Sequence, residues 1–436
     1  MANCDYDLAI LGGSIGSRLA ACRAAQQGAR VAFIAPSWGT VDATRGVFQA
    51  LHSSALRAEP TSAWPSLGDW MHHQRDRTAL SQAALRCQGI DVILEPARFT
   101  HDLALTLAAR QLRASRYLLT DGYGLSRPVV PAVNGLLVHQ LTQLKTLPER
   151  LTLVGYGATA VEWAYALSQL ARVTLVPLAR SLLPAEDHDI QRLSEAQLRC
   201  LGITIASVDQ AALQSGRVGA EGDLVVVVPQ LYGWDKLALD DAGIASEPFI
   251  TANRYLQTPC PHIYASGGSL GGENRPELAQ QEPTLALDND LFGRRHAMAY
   301  GQACYSIDLV SPVGRWGLTE HQATQRYGNS VQIVQAACLP PDADHSAQTN
   351  FCKLIILGQR LIGVHLMGDG APTWVTNLGR NPTVHCLSQR SVASFQPGTL
   401  GEAIYQALGQ WQSDRWSEGQ WRRDWAENWF NWRRSV

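Results

Sequence analysis

The chain has 436 residues, of which 46% are hydrophobic and 17% are charged, and its formal net charge is −2. At roughly 150 residues per domain this length predicts about three domains with sizeable cores, and the composition excludes an intrinsically disordered chain. The near-neutral charge gives no electrostatic footprint for nucleic acid, and no stretch approaches the roughly 20 apolar residues that a membrane span needs.

Residues 6–34 predict a βαβ unit. An apolar strand from Leu8 to Leu11 leads into a glycine-rich turn, an alanine-rich helix, Gly28 as the helix stop and a second apolar strand. Because the first strand starts so close to the N-terminus, there is no room for a signal peptide, and we expect a cytoplasmic protein.

The turn of this unit is an imperfect version of the G-x-G-x-x-G pattern, which places a dinucleotide pyrophosphate at a helix N-terminus. Its residues are Gly12, Gly13, Ser14, Gly16 and Ser17. Ser14 puts a Cβ where backbone should approach phosphate, although its hydroxyl can donate a hydrogen bond. The acidic residue expected at the end of the second strand is replaced by Ala35-Pro36. The pattern therefore indicates the fold more strongly than a bound ligand.

Residues 151–177 predict a second βαβ unit with a complete G-x-G-x-x-A turn. The pattern residues are Gly155, Gly157 and Ala160. The acidic strand end is again absent, with Pro177 in its place, and Arg180 follows closely. Arg180 is either a ligand for the 2′-phosphate of NADP, which would favour NADP over NAD, or a solvated surface arginine.

Two such units, about 140 residues apart, resemble the pyridine nucleotide–disulfide oxidoreductases: the dihydrolipoamide, glutathione and mercuric reductases. Further segments that resemble this family are residues 202–204, 261–265, 317–320, 351–354, 361–365 and 399–402. The resemblance runs from about residue 6 to 410. It implies an α/β fold with two nested Rossmann-type (FAD/NAD(P)-binding) domains and a C-terminal α+β interface domain, which in turn implies a homodimer.

The resemblance also implies domain boundaries. We expect an FAD-type domain at 1–135 and 252–304, an NAD(P)-type domain at 136–251, an interface domain at 305–410 and a tail rich in tryptophan and arginine at 411–436.

The residues that carry the family's disulfide chemistry are missing. The family's C-x4-C pair corresponds to residues 39–48, which contain no cysteine, and the lysine that follows falls near Leu51, although its usual partner remains as Glu162. The acid–base His-Pro corresponds to Gln396-Pro397, ahead of Glu402. Because glutamine cannot shuttle a proton at neutral pH, dithiol–disulfide exchange by the family mechanism is excluded, and we assign no catalytic residue.

Several flavin determinants also depart from the family. Its Gly-Asp, whose carboxylate binds the ribityl chain, is Gly267-Gly268, and its A-T-G is Thr120-Asp121-Gly122. Each lost hydrogen bond weakens binding by roughly 0.5 to 1.5 kcal/mol, and FAD is large enough for backbone and apolar contacts to compensate. The cofactor-binding residues that the resemblance implies are Gly12, Gly13, Ser14, Gly16, Gly122, Gly155, Gly157, Ala160, Glu162, Gly267 and Gly268.

No metal site is expected from the nine cysteines, which are scattered singly. None forms a CxxC pair or lies with histidines at zinc-finger spacing. Cys260-Pro261-His262 and His385-Cys386 lack further ligands nearby. We interpret the cysteines as reduced thiols.

Residues 411–436 contain six of the thirteen tryptophans. Trp421, Trp425, Trp429 and Trp432 fall within roughly an 80° arc of one helix. Three interpretations stay open: packing on the chain's own interface domain or on a second subunit, docking of a protein partner, and membrane contact, which the interspersed acidic residues disfavour.

Two functions follow from the sequence. The first is an oxidoreductase that binds FAD, accepts hydride from NAD(P)H and passes electrons to a non-disulfide acceptor such as a quinone or a small redox protein. The second is a catalytically inactive pseudoenzyme that serves as a nucleotide-binding or partner-docking scaffold, which the joint loss of dithiol, lysine and His-Pro favours.

Overall fold

The computed structural model describes most of the chain, with gaps. The described residues are 4–38, 80–121, 123, 135–206, 223–228, 234, 237–245, 249–271, 275–293, 295–340, 348–380, 382–384, 396–417 and 429–434. The chain divides into two compact units: Met1–Leu182 with Gly202–Met298, and Leu183–Leu201 with Ala299–Val436.

The first unit contains a seven-stranded sheet in the order β3-β2-β1-β6-β5-β4, with β12 paired to β6. Its strands are β1 (Tyr6–Leu11), β2 (Val31–Ile34), β3 (Asp91–Ile93), β4 (Arg98–Phe99), β5 (Ala104–Thr106), β6 (Gln111–Leu119) and β12 (Ile263–Ala265). The pairs among β1, β2, β3, β6 and β12 are parallel, and those of β4 and β5 are antiparallel. Residues Leu8 to Leu11 are fully buried because a central parallel strand is covered on both faces.

A second, all-parallel sheet of the same unit has the order β10-β9-β8-β11-β7. Its strands are β7 (Leu136–Leu137), β8 (Arg150–Val154), β9 (Arg172–Val176), β10 (Thr204–Ile205) and β11 (Leu224–Val227). The helices of this unit are α1 (Ile15–Gln26), α2 (Gln82–Cys87), α3 (Gly157–Ser168) and α5 (Pro276–Phe292). Each βαβ crossover places its glycine turn at the carboxyl end of a strand, where open parallel sheets bind ligands.

The second unit is built on an antiparallel sheet in the order β13-β14-β17-β16-β15. Its strands are β13 (Cys304–Ile307), β14 (Val313–Gly317), β15 (Val331–Cys338), β16 (Asn350–Leu357) and β17 (Arg360–Met367). Its helices are α4 (His188–Cys200), α6 (Glu320–Tyr327), α7 (Ala371–Arg380) and α8 (Leu400–Ser417). Alternate residues of β16 and β17 pack on α7 and α8, which bury an apolar core ending at Trp411.

This architecture confirms the α/β fold class, with two Rossmann-type sheets and a C-terminal domain of mixed helix and sheet. The predicted domain boundaries stay predictions. Helix α4, inside the segment 136–251, belongs to the second compact unit. Within the described part of the chain, none of the helices combines the length and the apolar character that crossing a membrane requires.

Candidate functional site

The first glycine turn joins β1 to α1 as the sequence predicts. Ser14 is the N-cap of α1, and its hydroxyl accepts a hydrogen bond from the Ser17 amide at 3.2 Å. The two serine hydroxyls are 2.7 Å apart, and the Ser17 hydroxyl lies 2.6 Å from that of Thr120, just after β6. The two serines that depart from the glycine pattern therefore satisfy each other and tie the turn to the end of β6.

The glycines of this turn are required by the protein's own packing. Gly12 has a φ of +149°, and a Cβ there would lie 2.0 Å from the Thr120 hydroxyl. A Cβ on Gly16 would lie 1.9 Å from the carbonyl oxygen of Ala279 in α5. Close approach of α1 to α5 and of the turn to β6 therefore explains both glycines without a ligand.

Arg18, which the sequence analysis missed, is buried in the first turn of α1. Its guanidinium donates to the Gly13 carbonyl oxygen at 3.0 Å and lies 4.1 Å from the ring centroid of Trp38. A buried cation beside a helix N-terminus favours an anionic ligand there. In the sequence, Arg18 is recognisable as an arginine directly after the last residue of the glycine pattern, Ser17.

The second glycine turn has open space beside one of its glycines, whereas protein atoms occupy the space beside Gly12 and Gly16 in the first. A Cβ on Gly155 would lie 2.9 Å from the Cβ of Val228, and Ala160 is fully buried, so these two positions are fixed by packing. Gly157 opens α3 with a φ of +82°. Apart from its chain neighbours and the backbone of its own helix, no atom of the described residues lies within 4 Å of where its Cβ would be. The backbone at Gly157 is therefore accessible to a pyrophosphate, which is the role the pattern gives this glycine.

Two further predicted residues lie near this turn in the sequence. Glu162 is on α3 and partly buried, while the segment around Leu51, where its lysine partner would fall, lies outside the described residues. Arg180 is exposed four residues after β9, which leaves both of its interpretations open.

The turn at Gly267 and Gly268 follows β12 and is held from two sides by carboxyl groups. Gly267 has a φ of +82°. The amide of Gly268 donates to Asp121 Oδ1 at 2.7 Å, and the amide of Gly267 donates to Glu282 of α5. The resemblance predicts an acidic side chain at 268, whereas the structure has a glycine there and a buried carboxyl group from Asp121 beside it. In the sequence, Asp121 and Gly268 are 147 positions apart and look like separate departures, and Glu282, 15 residues after Gly267, belongs to no motif.

Other predicted positions fall outside the described residues. These are Gly122, residues 39–48, His385-Cys386, Trp421 and Trp425.

The C-terminal segment that resembles the family's acid–base motif is organised around Glu402. This carboxylate accepts the Gly398 amide at 2.6 Å and the Gln406 side-chain amide at 3.1 Å. Thr399 donates its hydroxyl to the Gln396 carbonyl oxygen at 2.7 Å. Glu402 therefore caps the start of α8, a structural role that needs no histidine partner.

The carboxylates of Asp187, Asp189 and Glu320 lie close enough together to hold a cation, with oxygens within 4.8 Å of one another. The Lys353 ammonium fills the space between them. Its Nζ is 2.7 Å from both Asp187 Oδ1 and Asp189 Oδ2 and also pairs with Glu320. Although burial lowers the pKa of Lys353, these three partners raise it above its ordinary value. The cluster is thus an internal ion-pair network.

The tryptophans of the C-terminal region separate into two environments. Trp411 is 3% exposed and donates from Nε1 to Gln332 at 3.0 Å. Trp429 and Trp432 are 44% and 57% exposed, and their ring centroids are 5.3 Å apart. In the described residues, the helical stripe at 429–434 is therefore separate from the core that Trp411 joins.

Two sheets in one unit, each with a glycine turn between a parallel strand and a helix, define a Rossmann-type fold. The chain belongs to the pyridine nucleotide-disulphide oxidoreductase family, whose model matches residues 6–282. This confirms the resemblance drawn from the sequence. Members of the family bind FAD and NAD(P), the two cofactors that the resemblance implies.

Relatives span nearly the whole chain. It is 27% identical over 461 residues to a dihydrolipoyl dehydrogenase of Bacillus subtilis (strain 168), covering 92% of this chain and 98% of the relative. It is 25% identical over 421 residues to a mercuric reductase of Staphylococcus aureus, covering 84% and 75%. The fold is similar to that of the HOCl-induced flavoprotein disulfide reductase RclA from Escherichia coli, with a TM-score of 0.74, 22% identity and coverage of 93% and 99%.

The residues present fit both cofactors at the level of phosphate recognition. Helix α1 begins at a capped glycine turn with the buried Arg18 nearby, and α3 begins at the open backbone of Gly157. A helix N-terminus supplies amide donors and partial positive charge for a pyrophosphate. At Gly267-Gly268, by contrast, the two amides are already bonded to protein carboxyl groups.

Proposed function

We propose that this chain is an FAD-dependent NAD(P)H oxidoreductase that passes electrons to a non-disulfide acceptor. The observation that carries the proposal is Gly157, a left-handed glycine at the start of α3 with open space on its Cα. An L-residue is strained at this φ, and the turn opens a helix directly after a parallel strand, where a pyrophosphate would approach the backbone. Gly202, which is equally open, lies instead in the turn after helix α4.

The residues divide the work of cofactor binding. The backbone at Gly157 and the N-terminus of α3 bind the pyrophosphate of NAD(P)H, and the N-terminus of α1, with Arg18 beside it, binds that of FAD. Bound FAD supplies hydride acceptance and onward electron transfer, chemistry that needs stacking geometry more than acid–base side chains. Gly16 lets α5 pack closely against the N-terminal end of α1.

Two sequence facts support a non-disulfide acceptor, although the relatives are named as dihydrolipoyl dehydrogenase, mercuric reductase and flavoprotein disulfide reductase. Residues 39–48 contain no cysteine, and Gln396 stands where the family has its histidine. Glu402, which remains, is engaged in capping α8. We further propose that the chain is a homodimer through its C-terminal unit.

The pseudoenzyme is the second candidate, and one observation favours it. The first glycine turn and the Gly267-Gly268 turn are satisfied by the protein itself, through Thr120, Ala279, Asp121 and Glu282. A scaffold that no longer binds flavin would keep these contacts.

The test is to purify the protein without added cofactor, record its visible spectrum and identify any ligand released on denaturation. We expect near-stoichiometric FAD that NADH or NADPH bleaches under anaerobic conditions. Gly157→Val should slow the bleaching by at least about tenfold without releasing FAD, and Gly202→Val, at another open glycine with positive φ, is the matched control. A colourless protein that cannot be reconstituted with FAD supports the pseudoenzyme. Turnover of lipoamide or glutathione disulfide would refute the non-disulfide acceptor.

A further inference from the structure

Asp121 and Glu282 form a buried carboxyl pair, which the chemistry proposed above does not use. Asp121 Oδ1 accepts the Gly268 amide at 2.7 Å, and Glu282 accepts the amide of the adjacent Gly267. The two residues are only 3% and 4% exposed. Two carboxyl groups on neighbouring amides of one turn lie close enough to repel each other when both are ionised.

Burial, together with this repulsion, leaves a proton on the pair near neutral pH. Burial, with a contribution from the Glu282 charge, raises the pKa of Asp121 to about 7. Hydrogen bonds from the Gly268 and Ser269 amides act in the opposite direction but do not offset the loss of solvation. The pair therefore changes its charge within the range in which the protein would work.

The carboxyl pair lies at the first glycine turn. The backbone oxygen of Asp121 accepts the amides of Gly13 and Ser14 at 3.0 and 3.2 Å. Asp121 follows β6, which pairs with both β1 and β12 through their last residues. A phosphate at the N-terminus of α1 thus binds beside the pair, in the crevice at the carboxyl ends of these strands.

Several charged and titratable groups lie on the surrounding elements, including the buried Arg275 at the N-cap of α5, the helix that carries Glu282. Arg18 of α1 is directed to the Gly13 carbonyl oxygen and the ring of Trp38. The Tyr123 hydroxyl donates to the Ala97 carbonyl oxygen at 2.9 Å, and burial raises its pKa to about 12, so it stays neutral. On β12, Tyr264 also has a pKa raised by burial. The ionisable side chain that acts on Asp121 is Glu282 of α5.

We propose that the carboxyl pair takes up a proton from solvent when an anionic dinucleotide binds at α1, so that FAD binding is coupled to protonation of Asp121 and Glu282. The inference rests on the proposed function, since it takes FAD as the ligand of this turn. Added negative charge favours the neutral form of a nearby acid, and the reciprocal effect weakens FAD binding when the pair ionises.

The test is calorimetric titration of FAD into the cofactor-free protein. Measured in two buffers of different ionisation enthalpy at about pH 7.5, binding should take up a substantial fraction of one proton. The FAD dissociation constant should rise by about tenfold between about pH 6.5 and 8.5. The diphosphate bridge of FAD is esterified at both ends, so the ligand has no phosphate proton to release in this range.

Substitutions assign the proton to the pair. Asp121→Asn keeps an acceptor for the Gly268 amide but cannot titrate, and it should bind FAD without proton uptake and with little pH dependence. The matched control is Asp240→Asn at an exposed acid of the same unit, which should behave as the wild type. If Asp121→Asn does not fold, Glu282→Gln takes its place and is expected to reduce the uptake in the same way.

The outcomes separate this inference from the proposed function. FAD binding without proton uptake by the wild-type protein, or unchanged uptake in the folded variant, overturns the inference and leaves the oxidoreductase intact. A wild-type protein that does not bind FAD overturns both. Proton uptake that the substitution removes supports both.

Discussion

At the residue scale, the second unit is organised by three cross-strand neighbours. Arg315, His365 and Lys353 lie opposite one another on β14, β17 and β16. Lys353 pairs with Asp187, and the Arg315 guanidinium is 3.8 Å from Glu186. Two acidic residues just before α4 therefore lie against two of these three side chains. The apolar core of the sheet lies on its other face, because side chains alternate along a strand.

Replacing Lys353 with methionine should destabilise the protein strongly. The substitution keeps the side chain's length but leaves Asp187, Asp189 and Glu320 facing one another without the ammonium. Breaking a buried ion pair on one side costs about 3 kcal/mol of unfolding free energy. Urea denaturation measures this change. Lys145→Met, at an exposed lysine, is the control and should stay within about 0.5 kcal/mol; an equally small effect at Lys353 would contradict the prediction.

His365 should make the protein sensitive to acid. It is fully buried, its Nε2 donates to the Leu318 carbonyl oxygen at 2.9 Å, and burial lowers its pKa to about 4. Because the folded pKa lies below the unfolded one, the unfolded chain binds the proton first as the pH falls, and stability is lost from about pH 6.5 down to 4.

The measurement is the unfolding free energy of His365→Gln between about pH 7 and 5. In the wild type this histidine accounts for a loss of about 2 kcal/mol across that interval, and the variant should lack it. Exposed His321 provides the control, since His321→Gln should keep the wild-type slope. An unchanged slope in His365→Gln would show that the acid sensitivity lies elsewhere.

At the scale of elements, the glycine patterns predict the turns but not what fills the space beside each glycine. The sequence pattern locates β1, α1, β8 and α3 because strand, turn and helix are local. The neighbour of Gly16 is Ala279, far along the chain on α5, and only the tertiary structure shows that contact. The two turns therefore differ: packing against α5 accounts for Gly16, whereas the backbone at Gly157 is open.

Gly16→Ala and Gly409→Ala should have opposite effects on stability. Both glycines are helical, but a Cβ on Gly16 would lie 1.9 Å from the Ala279 carbonyl oxygen. At Gly409 of α8, a Cβ would meet no neighbouring atom within 4 Å among the residues that the structure describes. Overpacking costs about 2 kcal/mol or more at Gly16, and alanine in an exposed helix gains about 0.5 to 1 kcal/mol at Gly409. Thermal unfolding of the two variants decides the point; similar shifts in both would mean that α1 and α5 separate easily.

At the scale of the whole molecule, the sequence predicts the architecture and much of the first and second turns. Repeated βαβ units and their spacing are long, periodic features that survive divergence. The sequence does not predict the partners of Lys353, or that Asp121 and Glu282 bind the same turn. These contacts join residues of different elements that are about 30 to 170 positions apart in the chain. Single polar residues carry no periodic pattern that would announce such contacts.

The buried acids should shape the pH dependence of the entire chain. Asp290, near the C-terminal end of α5, is buried, and its Oδ1 is 3.4 Å from Arg116 Nε. Burial raises its pKa to about 8, although the Arg116 charge lowers it, and burial raises that of Asp121 to about 7. For each acid the folded pKa exceeds the unfolded one, so the unfolded chain ionises first. Stability is therefore lost as the pH rises from about 4 to the folded pKa.

Together with His365, these acids should place the stability maximum near pH 4, below the neutral range usual for proteins. From about pH 5 to 8 the two acids outweigh the opposing gain from His365, for a net loss of about 4 kcal/mol. The variant Asp121→Asn/Asp290→Asn should remove this decline, so that stability rises to about pH 6.5 and then levels. Urea denaturation across the pH range gives the slope of unfolding free energy against pH. A loss of stability that is the same at every pH does not change this slope. If the double variant keeps the wild-type decline, the acids are ionised in the folded protein and the proton held by Asp121 and Glu282 is absent as well.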